Sequence, residues 1–253
     1  MSPDLSVIIP AYNEAERIAP TLHRIDAYLG GCSFSSEILV VLDGGTDNTR
    51  EVLRPVAKTI ANLRILDRQH NRGKGYTVKE GMLEASGRWR LFCDADNSTD
   101  IHHFDKMLPL FKTGYDIVIA SRHPKDAAGA RQVVPQRRHK RIVGQLGNLL
   151  IQSIVVPGIW DTQCGFKAFR APIAERLFSR ATIEGWAFDV EILALARAEN
   201  CKIGIIAAEW VNDVRSHVRP LDCLKVLGDT LKIRTNLLLD RYHPSAKADL
   251  KRL

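Results

Sequence analysis

Short apolar runs alternate with segments of helical spacing along the first half of the chain. Five runs predict buried strands: LSVIIP (5–10), SEILVVLD (36–43), LRILDR (63–68), RWRLFCDAD (88–96) and YDIVIASR (115–122). After the first run, apolar residues recur at the spacing of one helix face: Ile18, Leu22, Ile25 and Leu29. Strands that are apolar almost throughout are typical of a sheet buried on both faces. The pattern therefore predicts an α/β fold with a mainly parallel sheet and helices on both faces.

The second half of the chain predicts several helices and one strand. Residues 123–141 form a loop, and an amphipathic helix follows at 142–156. ERLFSR and DVEILALARAE predict two further helices, KIGIIAAEW a strand, and 221–239 a last amphipathic helix. We expect one domain at 1–212 and a C-terminal helical extension at 213–253, a candidate to lie on a membrane surface.

Composition places the chain among ordinary globular proteins with a basic excess. Of its 253 residues, 45% are hydrophobic and 26% charged, and the net charge is +7. The excess fits anionic partners such as nucleotides, phospholipid surfaces or nucleic acid. The five cysteines are odd in number and lack a C-x-x-C spacing, which argues against a zinc site or a disulfide framework. MSPDLSVIIPAYNE lacks the features of a signal peptide, and we expect no membrane-spanning segment.

Two aspartates, Asp94 and Asp96, close the fourth predicted strand. In parallel sheets, ligands bind beyond the carboxyl ends of the strands, where the polar clusters of this chain should gather. Because the predicted strand includes both aspartates, alternation sends their side chains to one side, where they can share a cation. Carboxylate oxygens suit Mg²⁺ or Mn²⁺. The alternative is a pair of solvated or helix-capping aspartates.

Other polar residues near the carboxyl ends of the predicted strands each allow two interpretations. Asp43 fits either an Asx turn or a carboxylate that accepts hydrogen bonds from a base or ribose. NRGKG (71–75) matches neither G-x-G-x-x-G nor the P-loop, yet its glycines and Lys74 could approach a phosphate closely. Arg122 follows the fifth strand and is a candidate phosphate ligand.

The cationic segments suggest a membrane surface rather than nucleic acid. RRHKR (137–141) precedes an apolar helix face, an arrangement that fits anionic lipid, and no aromatic residues interleave its cations for stacking on bases. We therefore expect no nucleic-acid partner. His217, flanked by Arg215 and Arg219, is either a surface histidine or part of a phosphate-binding group. Cys93 and Cys164 are expected in the core.

Taken together, several motifs resemble the family 2 inverting glycosyltransferases of GT-A (Rossmann-like) fold. The motifs are VIIPAYNEAERI, VVLDGGTDNT, NRGKGYTVKEGM, DAD, ASR, DTQCGFKAF (161–169) and WAFDVEILALA (186–196). The last two are similar to the branch that makes polyprenyl-phosphate sugars, and more to its dolichyl-phosphate glucose synthases than to its mannose synthases. The similarity extends from about residue 5 to about residue 212.

The resemblance implies a nucleotide-sugar donor and a role for each matched residue. The residues expected around the base and ribose are Pro10, Ala11, Tyr12, Glu14 and Asp43. Asp94 and Asp96 would hold Mg²⁺ or Mn²⁺ at the diphosphate, with Lys74 and Arg122 near phosphate. Asp161 would lie close to the sugar or the attacking group as a third catalytic residue. Arg215, His217 and Arg219 are candidates for the acceptor phosphate.

The expected reaction is transfer of a hexose, first glucose from UDP-glucose, to a polyprenyl phosphate. The enzyme would be cytoplasmic and peripheral on the inner face of a membrane, and a separate membrane-anchoring partner stays open. Four alternatives also stay open: GDP-mannose as donor, a soluble acceptor with Asp161 or another carboxylate as base, a nucleotidyltransferase, and a non-catalytic nucleotide-binding protein.

Overall fold

A computed structural model describes residues 2–133, 147–149, 151–211 and 220–242 of the chain. The strands are β1 (Leu5–Ala11), β2 (Ser36–Asp43), β3 (Leu63–Arg68), β4 (Trp89–Cys93), β5 (Ile117–Ser121), β6 (Arg131–Gln132), β7 (Phe166–Arg170), β8 (Ile203–Ala207) and β9 (Glu209–Trp210). The helices are α1 (Ile18–Gly30), α2 (Thr49–Thr59), α3 (Lys74–Glu84), α4 (Phe104–Lys112), α5 (Ala171–Arg180), α6 (Phe188–Ala198) and α7 (Pro220–Leu238).

One seven-stranded sheet organises these elements in the order β3-β2-β1-β4-β7-β5-β8. Its strand pairs are parallel except for those that β7 makes with β4 and β5, which are antiparallel. Strands β6 and β9 form a small separate ribbon. The expected α/β fold with a mainly parallel sheet is confirmed, and β7 makes the sheet mixed.

Helices cover both faces of the sheet and close two hydrophobic cores. On one face, β1 residues Val7 and Ile9 pack in a core shared with α1, α2 and α4. On the other face, Ile8 belongs to a core shared with α3, α5, α6 and α7. Because neighbouring residues of one strand enter opposite cores, β1, β2, β4 and β5 need apolar side chains along most of their length, as their sequences show. Cys93 and Cys164 are buried, as predicted.

Two strand predictions require correction. The fourth strand was expected over 88–96, but β4 ends at Cys93, and Asp94 to Asn97 form a turn in which Asn97 has a φ of 53°. Strand alternation therefore does not place the two aspartates together; the turn does. KIGIIAAEW was expected as one strand, but it divides into β8 and β9, which belong to different sheets.

The C-terminal helix α7 packs on the main domain. Val226, Ile233 and Tyr242 are buried in the core that α6 also enters. The Tyr242 hydroxyl donates a 2.7 Å hydrogen bond to the buried carboxylate of Glu191 on α6. The expected boundary at 212/213 lies outside the described residues. Of the amphipathic helix predicted at 142–156, residues 147–149 and 151–154 are helical, and 142–146 and 150 lie outside the described residues. Within the described residues, no helix is both long and apolar enough to traverse a bilayer.

Candidate functional site

The predicted site residues that the structure describes gather at one edge of the sheet. The parallel strands β1, β2, β4 and β5 all end there, since their registers run in the same direction. Residues that complete or follow these strands form the rim: Pro10, Ala11, Tyr12, Glu14, Asp43, Asp94, Asp96 and Arg122. Lys74 joins them from the first turn of α3. The expected gathering of polar clusters at the carboxyl ends is confirmed.

Asp94 lies at the centre of this rim and is held on two sides. Its Oδ1 atom is 2.6 Å from Nζ of Lys74. Its backbone N–H donates to the carbonyl of Gly165, 3.2 Å away. A Cβ atom at Gly165 would overlap the Asp94 carboxylate, so only glycine fits beside this side chain. Although burial opposes the charge on Lys74, the carboxylates of Asp94 and Asp189 outweigh burial and raise the pKa of Lys74.

Asp96 belongs to an acidic cluster with Glu14 and Asp94. Burial, together with the charge on Asp94, raises the pKa of Asp96 above its ordinary value. Burial also raises the pKa of Glu14 to about 7, even though Arg17 pairs with its carboxylate. Arg17 lies 3.9 Å from Asp96 as well. The carboxylates of Glu14, Asp94 and Asp96 therefore repel one another in a confined space, and a positive charge bound beside them would reduce that repulsion.

Asp43 braces the loop that leads into α3. The carboxylate is nearly buried and accepts hydrogen bonds from Arg68 Nη2 (2.6 Å) and from the backbone N–H groups of Arg72 (2.8 Å) and Gly73 (3.0 Å). These contacts place Lys74 at the start of the helix. The structure thus gives Asp43 a loop-positioning role, and its expected contact with a base or ribose stays a prediction.

The glycines of the 71–75 loop serve close packing within the protein. Gly73 has a φ of 97°, and a Cβ atom on it would lie 2.6 Å from the carbonyl oxygen of Glu184. A Cβ atom on Gly75 would lie 2.5 Å from the carbonyl oxygen of Ile183. The loop is therefore fitted against residues 183–185. The approach of a phosphate to this loop, one of the two interpretations of its sequence, stays a prediction.

Arg122 and Asp161 form a tight ion pair beside the acidic cluster. The backbone N–H, Nε and Nη2 of Arg122 all donate to the Asp161 carboxylate at 2.7–2.8 Å. Burial raises the pKa of Asp161, but the charge and hydrogen bonds of Arg122 outweigh burial and lower that pKa below its ordinary value. The guanidinium also lies 5.2 Å from the ring centroid of Trp210. A carboxylate held in this way is a weak base and a firm anchor for Arg122.

The predicted acceptor-binding residues Arg215, His217 and Arg219 lie outside the described residues, as do the cations of 137–141. Their assigned roles stay predictions.

Asp94 and Asp96 fit a divalent cation by their chemistry. Both offer hard carboxylate oxygens, and their side chains are 30% and 23% exposed. Within the described residues, no group of three or more His, Cys, Asp or Glu side chains could hold a metal ion by itself. Mg²⁺ usually takes one or two protein carboxylates and completes its shell with substrate phosphates and water. A site of two carboxylates at the rim matches this coordination preference.

A mainly parallel sheet with an acidic pair beyond its central strand defines a GT-A fold, and solved structures share it. Glucosyl-3-phosphoglycerate synthase from Mycobacterium tuberculosis, in complex with Mn²⁺, UDP and glucosyl-3-phosphoglycerate, matches with a TM-score of 0.64. The match covers 96% of this chain and 82% of that one at 18% identity. Mannosyl-3-phosphoglycerate synthase from Rubrobacter xylanophilus has a TM-score of 0.65, covering 96% and 76% at 15% identity.

The chain belongs to Glycosyl transferase family 2, whose profile matches residues 6–178. A dolichyl-phosphate beta-glucosyltransferase from Dictyostelium discoideum is 36% identical over 249 residues, which cover 93% of this chain and 75% of that protein. Enzymes of the same name from Saccharomyces cerevisiae and Homo sapiens are each 32% identical and cover 96% and 92% of this chain. The aligned regions cover 78% of the Saccharomyces cerevisiae enzyme and 76% of the Homo sapiens enzyme. The protein is therefore a glycosyltransferase, as the resemblance implied.

Several residues of the site were missed at the level of sequence. Asn13 ties the β1 loop to the β2 loop through its side-chain oxygen, which accepts from the N–H of Thr46 at 2.8 Å. Gly165 abuts Asp94, and Lys167 and Asp189 lie behind it as a buried ion pair. The positive φ of Asn13, at 56°, is the kind of feature that an asparagine after a strand can signal. Gly165, Lys167 and Asp189 lie within the motifs at 161–169 and 186–196, which indicated the family but not this role.

Proposed function

We propose that the protein transfers glucose from UDP-glucose to a polyprenyl phosphate of the dolichyl type, with Mg²⁺ or Mn²⁺ and with inversion at the anomeric carbon. The observation that carries this proposal is the Asp94–Asp96 pair at the rim of a family 2 fold. Relatives that span 92–96% of the chain support the sugar and the acceptor, because they bear the name dolichyl-phosphate beta-glucosyltransferase.

The donor would lie across the ends of β1, β2 and β4. Tyr12 is 38% exposed at the end of β1, and with Pro10, Ala11 and Glu14 it would contact the base and ribose. Asp94 and Asp96 would hold the metal ion, and Lys74 would lie at the diphosphate. When bound, the metal neutralises charge that develops on the departing nucleotide.

The acceptor phosphate is proposed to attack the anomeric carbon directly. A phosphate monoester is already ionised near neutral pH, so the reaction needs alignment more than a strong base. Asp161 suits this scheme because its carboxylate is committed to Arg122, which it would hold towards the phosphates. Electrostatic stabilisation would then come from Lys74, Arg122 and the bound metal.

The acceptor side is proposed to face a membrane. Leu224, Leu231 and Leu238 recur every seven residues on α7 and are 65%, 55% and 69% exposed. The exposed Lys225 and Lys232 lie beside this leucine row. Apolar side chains flanked by cations fit a helix that lies on an anionic lipid surface. The lipid phosphate would reach the rim from that surface. Its candidate ligands are Arg215, His217 and Arg219. A separate protein that anchors the enzyme to the membrane is compatible with this arrangement.

The decisive experiment is donor turnover with and without a lipid phosphate. Nucleotide release is followed from UDP-glucose, UDP-GlcNAc and GDP-mannose with Mn²⁺, each with and without a short-chain polyprenyl phosphate. We expect lipid-stimulated release of UDP from UDP-glucose and, by NMR, a β-linked glucosyl phosphate. Lipid-stimulated release from another donor would show that the enzyme transfers the sugar of that donor instead of glucose. Release that does not depend on the lipid would show that the acceptor is a different molecule. A separate reaction of UTP with glucose 1-phosphate tests for a nucleotidyltransferase, which would release pyrophosphate from the triphosphate. Nucleotide binding without any release would indicate a binding protein.

The metal role predicts the effect of neutralising either aspartate. Asp94→Asn and Asp96→Asn should each lower kcat/KM by more than about 100-fold, since the lost charge stabilisation is worth several kcal/mol. EDTA should abolish wild-type turnover, and Mn²⁺ should restore it. Asp105→Asn, on α4 away from the rim, is the matched control and should leave turnover unchanged. Near-normal activity in both rim variants would remove the metal site from the proposal.

A further inference from the structure

A buried ion pair lies directly behind the Asp94 site. Lys167, on the antiparallel strand β7, is 0% exposed, and Asp189, on α6, is 4% exposed. The ammonium of Lys167 is 2.6 Å from Oδ1 of Asp189. Burying two charges costs several kcal/mol for each ion, and an apolar pair of similar volume often stabilises a fold equally well. Stability alone therefore gives no reason for a lysine in the middle of this sheet.

The first link from this pair to Asp94 runs through the backbone. Nζ of Lys167 also donates to the carbonyl oxygen of Cys164, at 2.6 Å. The next residue, Gly165, accepts the backbone N–H of Asp94 and leaves no room for a Cβ atom beside the Asp94 carboxylate. Lys167 thus fixes the stretch of backbone against which that carboxylate rests.

The second link runs through Lys74. The helix that carries Asp189 packs directly against the start of α3: a Cβ atom on Gly75 would lie 2.7 Å from the Cβ atom of Phe188, the residue before Asp189. The Asp189 carboxylate thereby adds negative charge near the Lys74 ammonium. Lys74 in turn pairs with Asp94 at 2.6 Å. Charges alternate in sign from Lys167 through Asp189 and Lys74 to Asp94, and each one constrains the next.

We propose that Lys167 and Asp189 are positioning residues for the diphosphate-binding end of the donor site, because together they fix both supports of the Asp94 carboxylate, Lys74 and Gly165. The inference rests on the donor site proposed above and adds two residues that touch neither substrate nor metal. Their effect should appear in metal-dependent binding of the nucleotide diphosphate, whereas binding of the nucleoside portion at the β1 loop should not depend on them.

The test measures binding of UDP and of uridine by calorimetry, with and without Mn²⁺. Lys167→Met should weaken Mn²⁺-dependent UDP binding at least about tenfold and leave uridine binding within about twofold. Because this variant leaves the Asp189 charge buried and unpaired, it is expected to lower the melting temperature. The double variant Lys167→Met/Asp189→Asn removes both charges and should recover most of that temperature loss while UDP binding stays weak.

Arg90→Met provides the matched control. Arg90 is 4% exposed on β4 and donates to Glu175 (2.6 Å) and to the carbonyl oxygen of Met82 (2.7 Å), so its described partners lie apart from Asp94 and Lys74. This variant should lower the melting temperature without changing Mn²⁺-dependent UDP binding. If the double variant recovers both stability and UDP affinity, the pair is only structural and the inference is overturned. If the wild-type enzyme itself shows no Mn²⁺-dependent UDP binding, the proposed donor site fails, and the inference fails with it.

Discussion

At the scale of single residues, Gly165 meets a strict steric requirement of the site. Its backbone touches the Asp94 carboxylate so closely that a methyl group cannot fit. Gly165→Ala should push this carboxylate away from Lys74 and lower kcat/KM roughly 100-fold, the loss that a displacement of about 1 Å can cause. The measurement is steady-state transfer together with thermal unfolding.

Gly30→Ala is the control for this substitution. Gly30 ends α1, and a Cβ atom there meets nothing within 4 Å. The control should keep full activity. Transfer by Gly165→Ala at a near wild-type rate would mean that the Asp94 carboxylate can move without consequence, which contradicts the arrangement described for the rim.

The sequence predicted which residues reach the rim, but not which of them touch. Asp94, Asp96 and Arg122 could be placed because each follows an apolar strand, and parallel strands end at a common edge. The contacts of Asp94 with Lys74 and Gly165 join residues far apart in the chain. No local pattern encodes such pairs, because they depend on how the loops after β3 and before β7 cross the rim.

At the scale of elements, the strand of the seven-stranded sheet that sequence reasoning missed is β7. It consists of FKAFR, which is short and places a lysine where a central strand ordinarily carries an apolar residue. Its charge is tolerated because Lys167 has Asp189 and the carbonyl of Cys164 as partners. The other central strands were predicted because apolar side chains make up most of their length, even though β4 also buries Arg90. A strand whose buried charge is neutralised by an ion pair therefore lacks the apolar pattern from which strands are predicted.

Glu37 ties three strands at the opposite end of the sheet and supplies a pH-dependent prediction. It lies on β2 and accepts hydrogen bonds from Ser6 on β1, from Ser86 before β4 and from Arg64 on β3. Although burial raises the pKa of Glu37, these hydrogen bonds outweigh burial and lower it from its ordinary value of 4.5. A lowered folded-state pKa contributes stability above pH 4.5 that is lost as the pH falls through that folded-state pKa.

Glu37→Gln should therefore destabilise the fold at pH 7 by about 1–3 kcal/mol, the usual cost of losing charged hydrogen-bond partners. Urea denaturation at several pH values measures the free energy of unfolding of both proteins. The difference between them should shrink as the pH falls below 4.5. Glu84→Gln, at the exposed end of α3, should show no such trend. A constant difference at all pH values would show that Glu37 acts by packing rather than by its charge.

At the scale of the whole molecule, α7 connects an exposed apolar row to the donor site. Its buried face joins the core, and Tyr242 beyond it binds Glu191, which also accepts the backbone N–H groups of Thr182 and Ile183. Residues 183–185 pack in turn against Gly73 and Gly75, beside Lys74. The helix that carries Leu231 is thus built into the same structure that positions Lys74.

The outer row of α7 predicts membrane binding that depends on three leucines. Changing Leu224, Leu231 and Leu238 to asparagine should weaken binding to vesicles containing phosphatidylglycerol on the order of tenfold or more, since full burial of one leucine is worth about 1.5–3 kcal/mol. Because these side chains are 55–69% exposed, folding should be unaffected.

Leu83→Asn, at a leucine 38% exposed on α3, should leave vesicle binding unchanged. Vesicle sedimentation measures both, and turnover of a water-soluble short-chain acceptor should be equal in all variants. If the triple variant binds vesicles as the wild type does, α7 does not lie on the lipid, and another surface must bring the enzyme to its acceptor.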